Sequence, residues 1–322
     1  MIRLRKLWST PTLSHALLLV AMAQSACATA LADPARSGPL AKAATPSDSA
    51  VPVPLPAGIH ILRDVPYGTD RRQRFDVYSP EHAHDAPVIF LVHGGGWRRG
   101  TKAHRGTYEN KVTRWVPMGF IVISADYRVL PEADPLEQAK DVARALAAAQ
   151  EQAESWGGDR RKFILMGHSA GGHLVSLLAT AQGIAADMGV TPWLGTVALD
   201  SAAFDVVGTM ENRHPQLFDE AFGSDPDYWK SISPYHALTE AARPILAVCS
   251  GQIGYFCKQA RQFSGKGDDL GVRSAALKKK DYSHLEVNER LGADRRYTRQ
   301  VESFLASLDE EVAERLRRRP IP

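Results

Sequence analysis

A five-residue motif in the middle of the chain constrains the fold more than any other feature. Residues 167–171 read Gly-His-Ser-Ala-Gly, directly after the apolar run 163–166 and before a helix-like stretch, 172–179. A GxSxG motif between a strand and a helix is typical of a sharp turn that lifts the serine hydroxyl clear of the backbone. Its flanking residues must be small, because the backbone segments approach each other closely there. The motif predicts Ser169 as a nucleophile.

A glycine-rich segment lies upstream of this motif. The apolar run 87–92 predicts a buried parallel strand, and it is followed by His-Gly-Gly-Gly-Trp at 93–97. Bare glycine N–H groups can converge on a developing oxyanion where side chains would block the approach. We expect Gly95 and Gly96 to be such donors, with the N–H of Ala170 as the third. A phosphate-binding loop is disfavoured, because neither GK[ST] nor GxGxxG spacing is present.

Further segments lie around these two motifs in a specific order. They are Arg-Phe-Asp-Val-Tyr-Ser-Pro at 74–80, Ser-Ala-Asp-Tyr-Arg at 124–128 and Gly-Gly-Asp at 157–159. From about residue 58 to residue 305 the chain resembles the α/β-hydrolases of the esterase and lipase group that carry HGGGW. That group includes hormone-sensitive-lipase-like carboxylesterases, feruloyl-esterase-like proteins and arylformamidases. The resemblance implies an α/β-hydrolase fold and hydrolysis of carboxylic esters.

The order of apolar segments agrees with that fold. Short β-rich runs at 120–124, 163–166 and 195–199 alternate with helical patterns at 136–155 and 171–181. Such alternation predicts an α/β fold with a mostly parallel central sheet and helices on both faces. Ligands bind at the carboxyl ends of the strands of such sheets, which is where both glycine motifs fall.

The general base is expected late in the chain, because the resemblance implies the order nucleophile, acid, histidine. His284 follows the run 272–277, which predicts the last strand, so His284 can reach the carboxyl edge beside Ser169. His93 and His168 lie within the motifs, and we expect them to hold loops in place rather than to move protons.

The acid departs from the usual pattern of the group. A carboxylate is expected after the strand at 244–248, yet residues 249–257 contain no Asp or Glu. In some α/β-hydrolases the acid follows the preceding strand, and here Asp200 ends the run 197–199. Asp200 is therefore the first candidate and Asp205 the alternative, while Glu286 or the absence of any acid stays open. Both aspartates could instead cap a turn or helix.

The N-terminus has the pattern of an export signal. Basic residues precede an apolar stretch at 13–23, and Ala-Leu-Ala at 30–32 offers a cleavage site, as does Ala-Cys-Ala at 26–28. We predict a signal peptide at 1–32, a disordered linker rich in Ala, Pro and Ser at 33–57, a catalytic domain at 58–310 and a charged tail at 311–322. The protein is expected to be periplasmic or secreted, and a lipid anchor at Cys27 stays open.

The cysteines support a further expectation. Cleavage after residue 32 removes Cys27 and leaves Cys249 and Cys257. An even pair in an oxidising compartment predicts a disulfide, and two free thiols are the alternative.

Composition limits the other function classes. A chain of 322 residues with 44% hydrophobic content suits one catalytic domain, and its net charge of +3 is not gathered into one stretch, so nucleic-acid binding is not expected. No zinc-site spacing is present, so we expect no metal and no cofactor, and no transmembrane span beyond the signal peptide.

The substrate is expected to be a small or medium ester. An acyl or alcohol pocket could be lined by aromatic and apolar residues downstream of residue 199, although ordinary core packing would explain at least half of them: Phe204, Met210, Phe218, Phe222, Tyr228 and Trp229. An arylformamidase-type amide hydrolase and a transacylase remain alternatives. A catalytically weak binding protein is a third, because the usual acid position is empty.

Overall fold

The computed structural model describes residues 55–317. Eight strands form one sheet: β1 (Ile59–Pro66), β2 (Arg74–Pro80), β3 (Ala86–Val92), β4 (Ile121–Ala125), β5 (Gly158–His168), β6 (Gly195–Leu199), β7 (Ile245–Ser250) and β8 (Ser274–Lys279). Their order across the sheet is β1-β2-β4-β3-β5-β6-β7-β8. The first two strands run antiparallel to their neighbours, and the pairs from β4 to β8 are parallel. This is the mostly parallel sheet of the α/β-hydrolase fold, as predicted.

Twelve α-helices surround this sheet: α1 (Arg105–Trp115), α2 (Pro135–Gln152), α3 (Ala170–Thr180), α4 (Gln182–Asp187), α5 (Val206–Met210), α6 (Gln216–Phe222), α7 (Pro226–Ser231), α8 (Pro234–Ala237), α9 (Gly254–Asp269), α10 (His284–Glu289), α11 (Arg295–Ala306) and α12 (Glu310–Arg317) within residues 55–317. Two short 3₁₀ helices, Val116–Met118 and Ala153–Trp156, follow α1 and α2.

The helices cover both faces of the sheet because side chains alternate along its buried strands. In β3, Val88, Phe90 and Val92 join a core cluster with α2, α3 and α9. Ile89 and Leu91 join a second cluster with α1, α11 and α12. Strand β3 is buried along its whole length, as its continuous apolar run predicts.

The strand register brings the two glycine motifs to one edge. Val92, the last residue of β3, lies opposite Gly167 of β5, and His168 of β5 lies opposite Leu199 of β6. The segments that follow these three strands therefore leave the sheet side by side at its carboxyl edge.

Some predicted boundaries differ from the structure. The helix predicted over 136–155 is α-helical only to residue 152 and tightens into a 3₁₀ turn, which Gly157 ends at φ 77°. The last strand starts two residues later than predicted, at Ser274 rather than 272, and it is mostly exposed because it forms the edge of the sheet.

Helix α12 occupies most of the segment 311–322 that was predicted as a charged tail. Helix α12 packs on the domain: Val312 is fully buried, and Arg315 donates hydrogen bonds to the carbonyls of Gly119 (2.9 Å) and His84 (2.8 Å). The folded domain therefore extends through residue 317, because the apolar face of α12 completes the second core cluster. The predicted signal peptide at 1–32 and the linker up to residue 54 lie outside the described residues.

Candidate active site

The turn between β5 and α3 presents Ser169 in a conformation that few residues other than glycine adopt. Its φ is 54° and its ψ is −119°, and its N–H donates to the carbonyl of Leu199 at 2.8 Å. The hydroxyl does not cap helix α3, although Ser169 occupies the capping position. A Cβ on Gly171 would collide with the carbonyls of Val92 and His93, which is why glycine occupies this position. Backbone strain of this kind costs about 1–3 kcal/mol and is concentrated at functional sites.

The glycine loop after β3 lies directly against this turn. A Cβ on Gly94 would lie only 2.9 Å from the Cβ of Ser169 and 2.8 Å from the carbonyl oxygen of His168. Within residues 55–317, the N–H groups of Gly95, Gly96 and Ala170 donate to no backbone carbonyl of a turn, loop or helix end. None of the three predicted donors is therefore bonded to such a carbonyl, and two of them lie in a loop that packs on the predicted nucleophile.

His284 and Asp200 are in direct contact. His284 Nδ1 lies 2.8 Å from Asp200 Oδ2, and because a carboxylate oxygen accepts, the bond places the proton on Nδ1. This leaves the Nε2 nitrogen as the proton acceptor. The Asp200 side chain is fully buried, whereas that of His284 is 30% exposed, so a ligand can reach the imidazole but not the carboxylate.

Neighbouring backbone holds the Asp200 carboxylate. Its Oδ1 accepts the N–H of Ser250 at 2.6 Å, and its own N–H donates to the carbonyl of Val248 at 2.7 Å. Asp200 has a φ of 51°, which is positive like the φ of 54° at Ser169 and uncommon for a residue other than glycine. Both Asp200 oxygens therefore have partners, as a buried charge requires.

The other candidate acids have structural tasks. Asp205 is the N-cap of α5, where its side chain accepts the N–H of Gly208 at 2.9 Å. Glu286 forms a capping box with Ser283 at the start of α10. Of the three candidates, the structure brings only Asp200 to His284.

The two other motif histidines bind loops, in agreement with their expected role. His168 is buried, and its Nε2 donates to the carbonyl of His284 at 2.9 Å, with the two ring centroids 4.6 Å apart. Burial and the neighbouring His284 lower the pKa of His168 well below its usual value of 6.5, so this ring stays neutral. His93 Nδ1 donates to the carbonyl of Gly94 at 2.8 Å, and its ring stacks on Tyr127.

A disulfide links the end of β7 to the first turn of α9. It joins Cys249 and Cys257, whose Cα atoms are 5.1 Å apart, and so the predicted pairing is present. The loop that it closes contains Ser250, the donor to Asp200, and Phe256, whose ring packs edge-on against His284 at 5.4 Å. Neither contact was predicted from the sequence.

The proposed pocket residues belong mostly to the core. Four of the six are buried: Phe204, Met210, Phe218 and Phe222. Tyr228 and Trp229 are partly buried and pack against the same cluster. Core packing therefore explains these side chains better than contact with a ligand does.

Neither a bilayer-spanning helix nor a metal-ligand cluster is found in residues 55–317. No helix in this range has the length and apolar character needed to cross a bilayer. No group of three or more His, Cys, Asp or Glu side chains in the same range could hold a metal ion.

Comparison with known proteins adds an independent result. The family model described as BD-FAE matches residues 75–252, which is more than half of the chain. The chain belongs to the BD-FAE family. The match begins in β2 and ends just after β7, so it includes the glycine loop, Ser169 and Asp200.

Individual relatives of this BD-FAE family member are distant. It is similar to "Esterase LipC" of Mycobacterium tuberculosis, with 28% identity over 58% of this chain and 49% of LipC. It is also similar to a "Kynurenine formamidase" of Danio rerio, with 24% identity over 71% of this chain and 76% of that protein. The chain thus spans about half of LipC and about three quarters of the formamidase. Among solved structures, esterase B from Lactobacillus rhamnosis superposes with a TM-score of 0.65 at 20% identity, covering 81% of this chain and 88% of the esterase, which supports the fold.

Proposed function

We propose that this BD-FAE family member is a serine hydrolase that cleaves small or medium carboxylic esters. The observation that carries the proposal is the 2.8 Å contact between His284 Nδ1 and the buried Asp200 carboxylate, beside the strained turn of Ser169. An oriented imidazole, a serine raised at a turn and free N–H groups are the three requirements of acyl transfer. The similarity to proteins named as esterases supports the same chemistry.

In the proposed reaction, Ser169 Oγ attacks the ester carbonyl carbon while its proton passes to His284 Nε2. The N–H groups of Gly95, Gly96 and Ala170 stabilise the oxyanion that forms. When the tetrahedral intermediate collapses, the bond to the alcohol oxygen breaks, and that oxygen takes the proton from Nε2. Water then attacks the acyl-enzyme, gives one proton to Nε2, and releases the acid as the proton returns to Ser169.

Asp200 acts through its hydrogen bond to Nδ1. It fixes the tautomer and stabilises the imidazolium that forms during each proton transfer. The transfer between Ser169 Oγ and His284 Nε2 is part of the proposal, because the bond that the structure forms at His284 is on its other ring nitrogen.

Covalent labelling tests the proposal. A fluorophosphonate probe should modify the wild-type protein at Ser169, and the Ser169→Ala variant should not react. A panel of p-nitrophenyl esters from acetate to octanoate should be hydrolysed by the wild type. The variant should lose roughly 10³-fold or more in kcat, as happens when a triad serine is removed. Equal labelling of both proteins, or no turnover of any ester, would refute the proposal.

An amide hydrolase of the formamidase type is the second candidate, because the kynurenine formamidase relative aligns over 71% of this chain. The same Ser169, His284 and Asp200 would serve that reaction. Comparing kcat/KM for phenyl acetate and for N-formylaniline separates the two. The binding-protein alternative rested on the lack of Asp and Glu after the strand at 244–248, and the contact between Asp200 and His284 weighs against it. A transacylase would be recognised by new ester formed when an alcohol is added.

We also propose that the protein is exported. The supporting observations are the basic and apolar pattern of the N-terminal residues and the Cys249–Cys257 disulfide. Expression of the full chain in a bacterium, followed by fractionation and N-terminal sequencing, should give a periplasmic product that begins near residue 33. A product of full length in the cytoplasm would contradict export, and radiolabelled palmitate incorporated in the wild type but not in Cys27→Ser would reveal a lipid anchor.

A further inference from the structure

Exposed apolar side chains gather around the candidate site. Within residues 55–317 seven large apolar side chains are exposed, and four of them lie in segments that adjoin the site, at or near the first turns of α6, α9 and α10. Leu285 follows His284 directly and is 46% exposed, while Ile253 (38%) and Tyr255 (40%) lie in the loop that the disulfide closes. Leu217 (38%) lies over Gly96 in the glycine loop. Exposed apolar side chains in the segments beside a polar site favour a binding surface there.

The loop that carries Ile253 is fixed in place beside His284. Gly251, the first residue after β7, donates its N–H to the carbonyl of Lys279 at 2.8 Å. Phe256 packs edge-on against the His284 ring. Tyr255 reaches the other side, where its hydroxyl lies 2.6 Å from Thr209 Oγ1 of α5. Because the disulfide and these contacts hold the loop, its exposed side chains form a wall that is ordered before any ligand binds.

The strand order indicates which part of a bound ester would contact this wall of exposed side chains. Ser169 follows β5, the glycine loop follows the neighbouring β3, and Asp200, the disulfide loop and His284 follow β6, β7 and β8 on the opposite side. An ester bound to Ser169 therefore directs its carbonyl oxygen toward β3. Its alcohol oxygen must lie near His284, because only the Nε2 nitrogen can return a proton to it. Whatever is attached to that oxygen extends along the loops after β7 and β8.

We propose that Ile253, Phe256 and Leu285 form a subsite for the alcohol portion of the ester, and that the preferred substrates carry an aromatic or branched apolar alcohol. This proposal rests on the proposed ester hydrolysis. This loop can take that role because it carries no acid. In related enzymes the acid usually follows β7, whereas the candidate acid of this chain, Asp200, follows β6. An apolar alcohol covers the exposed side chains, whereas a hydroxyl-rich sugar alcohol leaves its own hydroxyls against them without partners.

The test compares acetates of primary alcohols, whose leaving groups have similar intrinsic reactivity. The substrates are ethyl acetate, 3-phenylpropyl acetate and 2-(2-hydroxyethoxy)ethyl acetate, a polar ester of comparable length. In the wild type, kcat/KM should be at least tenfold higher for the phenylpropyl ester than for the polar ester. The double variant Ile253→Ser with Leu285→Ser should lower the phenylpropyl-to-ethyl ratio of kcat/KM at least tenfold, mainly through KM.

Two control variants each remove an equally large exposed apolar side chain, one far from the site and one on the opposite side of Ser169. Leu270, 38% exposed, lies at the far end of α9, and Leu217 lies on the glycine-loop side of Ser169. Neither Leu270→Ser nor Leu217→Ser should lower the phenylpropyl-to-ethyl ratio. A ratio that stays the same in the double variant, or that falls equally in the Leu217→Ser variant, overturns the subsite.

Failure of the subsite is distinguishable from failure of the proposed function. If the wild type reacts with fluorophosphonate and hydrolyses ethyl acetate but shows no alcohol preference, only the subsite is wrong. A series of ethyl acetate, butyrate and hexanoate detects the case in which the wall contacts the acyl chain, because the double variant then changes the acyl ratio instead. If no ester is hydrolysed and no label is incorporated, the hydrolase proposal itself fails.

Discussion

The carboxyl ends of β6 and β7 lie side by side in the sheet, yet they differ in what they supply. Strand β6 is followed directly by Asp200, a buried carboxylate at a positive φ of 51°. Strand β7 ends in Cys249 and Ser250, which carry no charge, and a disulfide closes the loop that follows. The two ends meet where the N–H of Ser250 donates to Asp200 Oδ1 at 2.6 Å. One strand supplies the carboxylate and the other fixes its orientation, so moving the acid by one strand still leaves it in contact with His284.

The largest expected effect breaks this pair at the carboxylate. Replacing Asp200 by Asn keeps the shape of the side chain but removes the charge that selects the Nδ1–H tautomer. The change should lower kcat by up to about 10⁴-fold, as the same substitution does in a serine protease. Steady-state kinetics with p-nitrophenyl acetate measures the effect.

Asp205→Asn is the matched control, five residues away in the same segment. Asp205 caps α5 and does not touch His284, and Asn is also a good cap residue. We expect kcat to stay within about twofold, since Asn keeps the cap at little cost in stability. If Asp205→Asn proves as damaging as Asp200→Asn, the assignment of the acid to Asp200 is mistaken.

Local patterns in the sequence encode part of this edge. GxSxG and HGGGW each lie next to an apolar run, so the turn of Ser169 and the loop of Gly95 can be placed at strand ends from the amino-acid sequence alone. The absence of Asp and Glu from residues 249–257 is enough to direct attention to Asp200. The structure places that carboxylate on His284.

Contacts between distant segments could not be read in the same way. The donor to Asp200 is a backbone N–H, which every residue except proline carries, so Ser250 has no distinguishing side-chain signal. The packing of α12 on the domain was not predicted, because a helix of mixed charge has the same kind of residue pattern whether it is solvated or packed. The burial of Arg315 depends on carbonyls that lie about 200 residues away in the chain.

An intermediate effect is expected from opening the β7 loop. In the double variant Cys249→Ser with Cys257→Ser, the chain-entropy model predicts a loss of about 2–3 kcal/mol in the free energy of unfolding for so short a loop. The Ser250 N–H should then hold Asp200 less firmly, so we expect kcat to fall by roughly tenfold, much less than in Asp200→Asn. Urea unfolding and p-nitrophenyl acetate kinetics give the two quantities.

Reduction provides the control for this variant. Dithiothreitol should lower kcat of the wild type toward that of the double variant, and it should leave the double variant as it was. If the double variant retains the kcat of the wild type while being less stable, the β7 loop stabilises the fold without orienting the acid.

The smallest effect concerns His168, the last residue of β5, whose side chain connects the Ser169 turn to the backbone of His284. Its Nε2 donates to the carbonyl of His284 at 2.9 Å, and the side-chain amide of a glutamine can make the same bond. His168→Leu leaves that carbonyl without its partner, at a cost of about 1–3 kcal/mol, and should lower kcat severalfold. His168→Gln should restore most of the loss, which a merely space-filling histidine would not require.

The same variant isolates a dependence of stability on pH. Because burial and His284 lower the pKa of His168 in the folded state, the unfolded chain binds a proton at this residue at a higher pH than the folded protein does. The buried, neutral His168 therefore makes its full contribution to the free energy of unfolding above the ordinary pKa of 6.5. This contribution is lost as the pH falls below 6.5 toward the lower pKa of His168 in the folded state. Thermal unfolding at pH values of about 7.5 and about 5 should show a larger fall in Tm for the wild type than for His168→Gln, which has nothing to titrate at this position. An equal fall in Tm in both proteins would mean that folding does not change the pKa of His168. The conclusion that its ring is buried and neutral beside His284 would then be wrong.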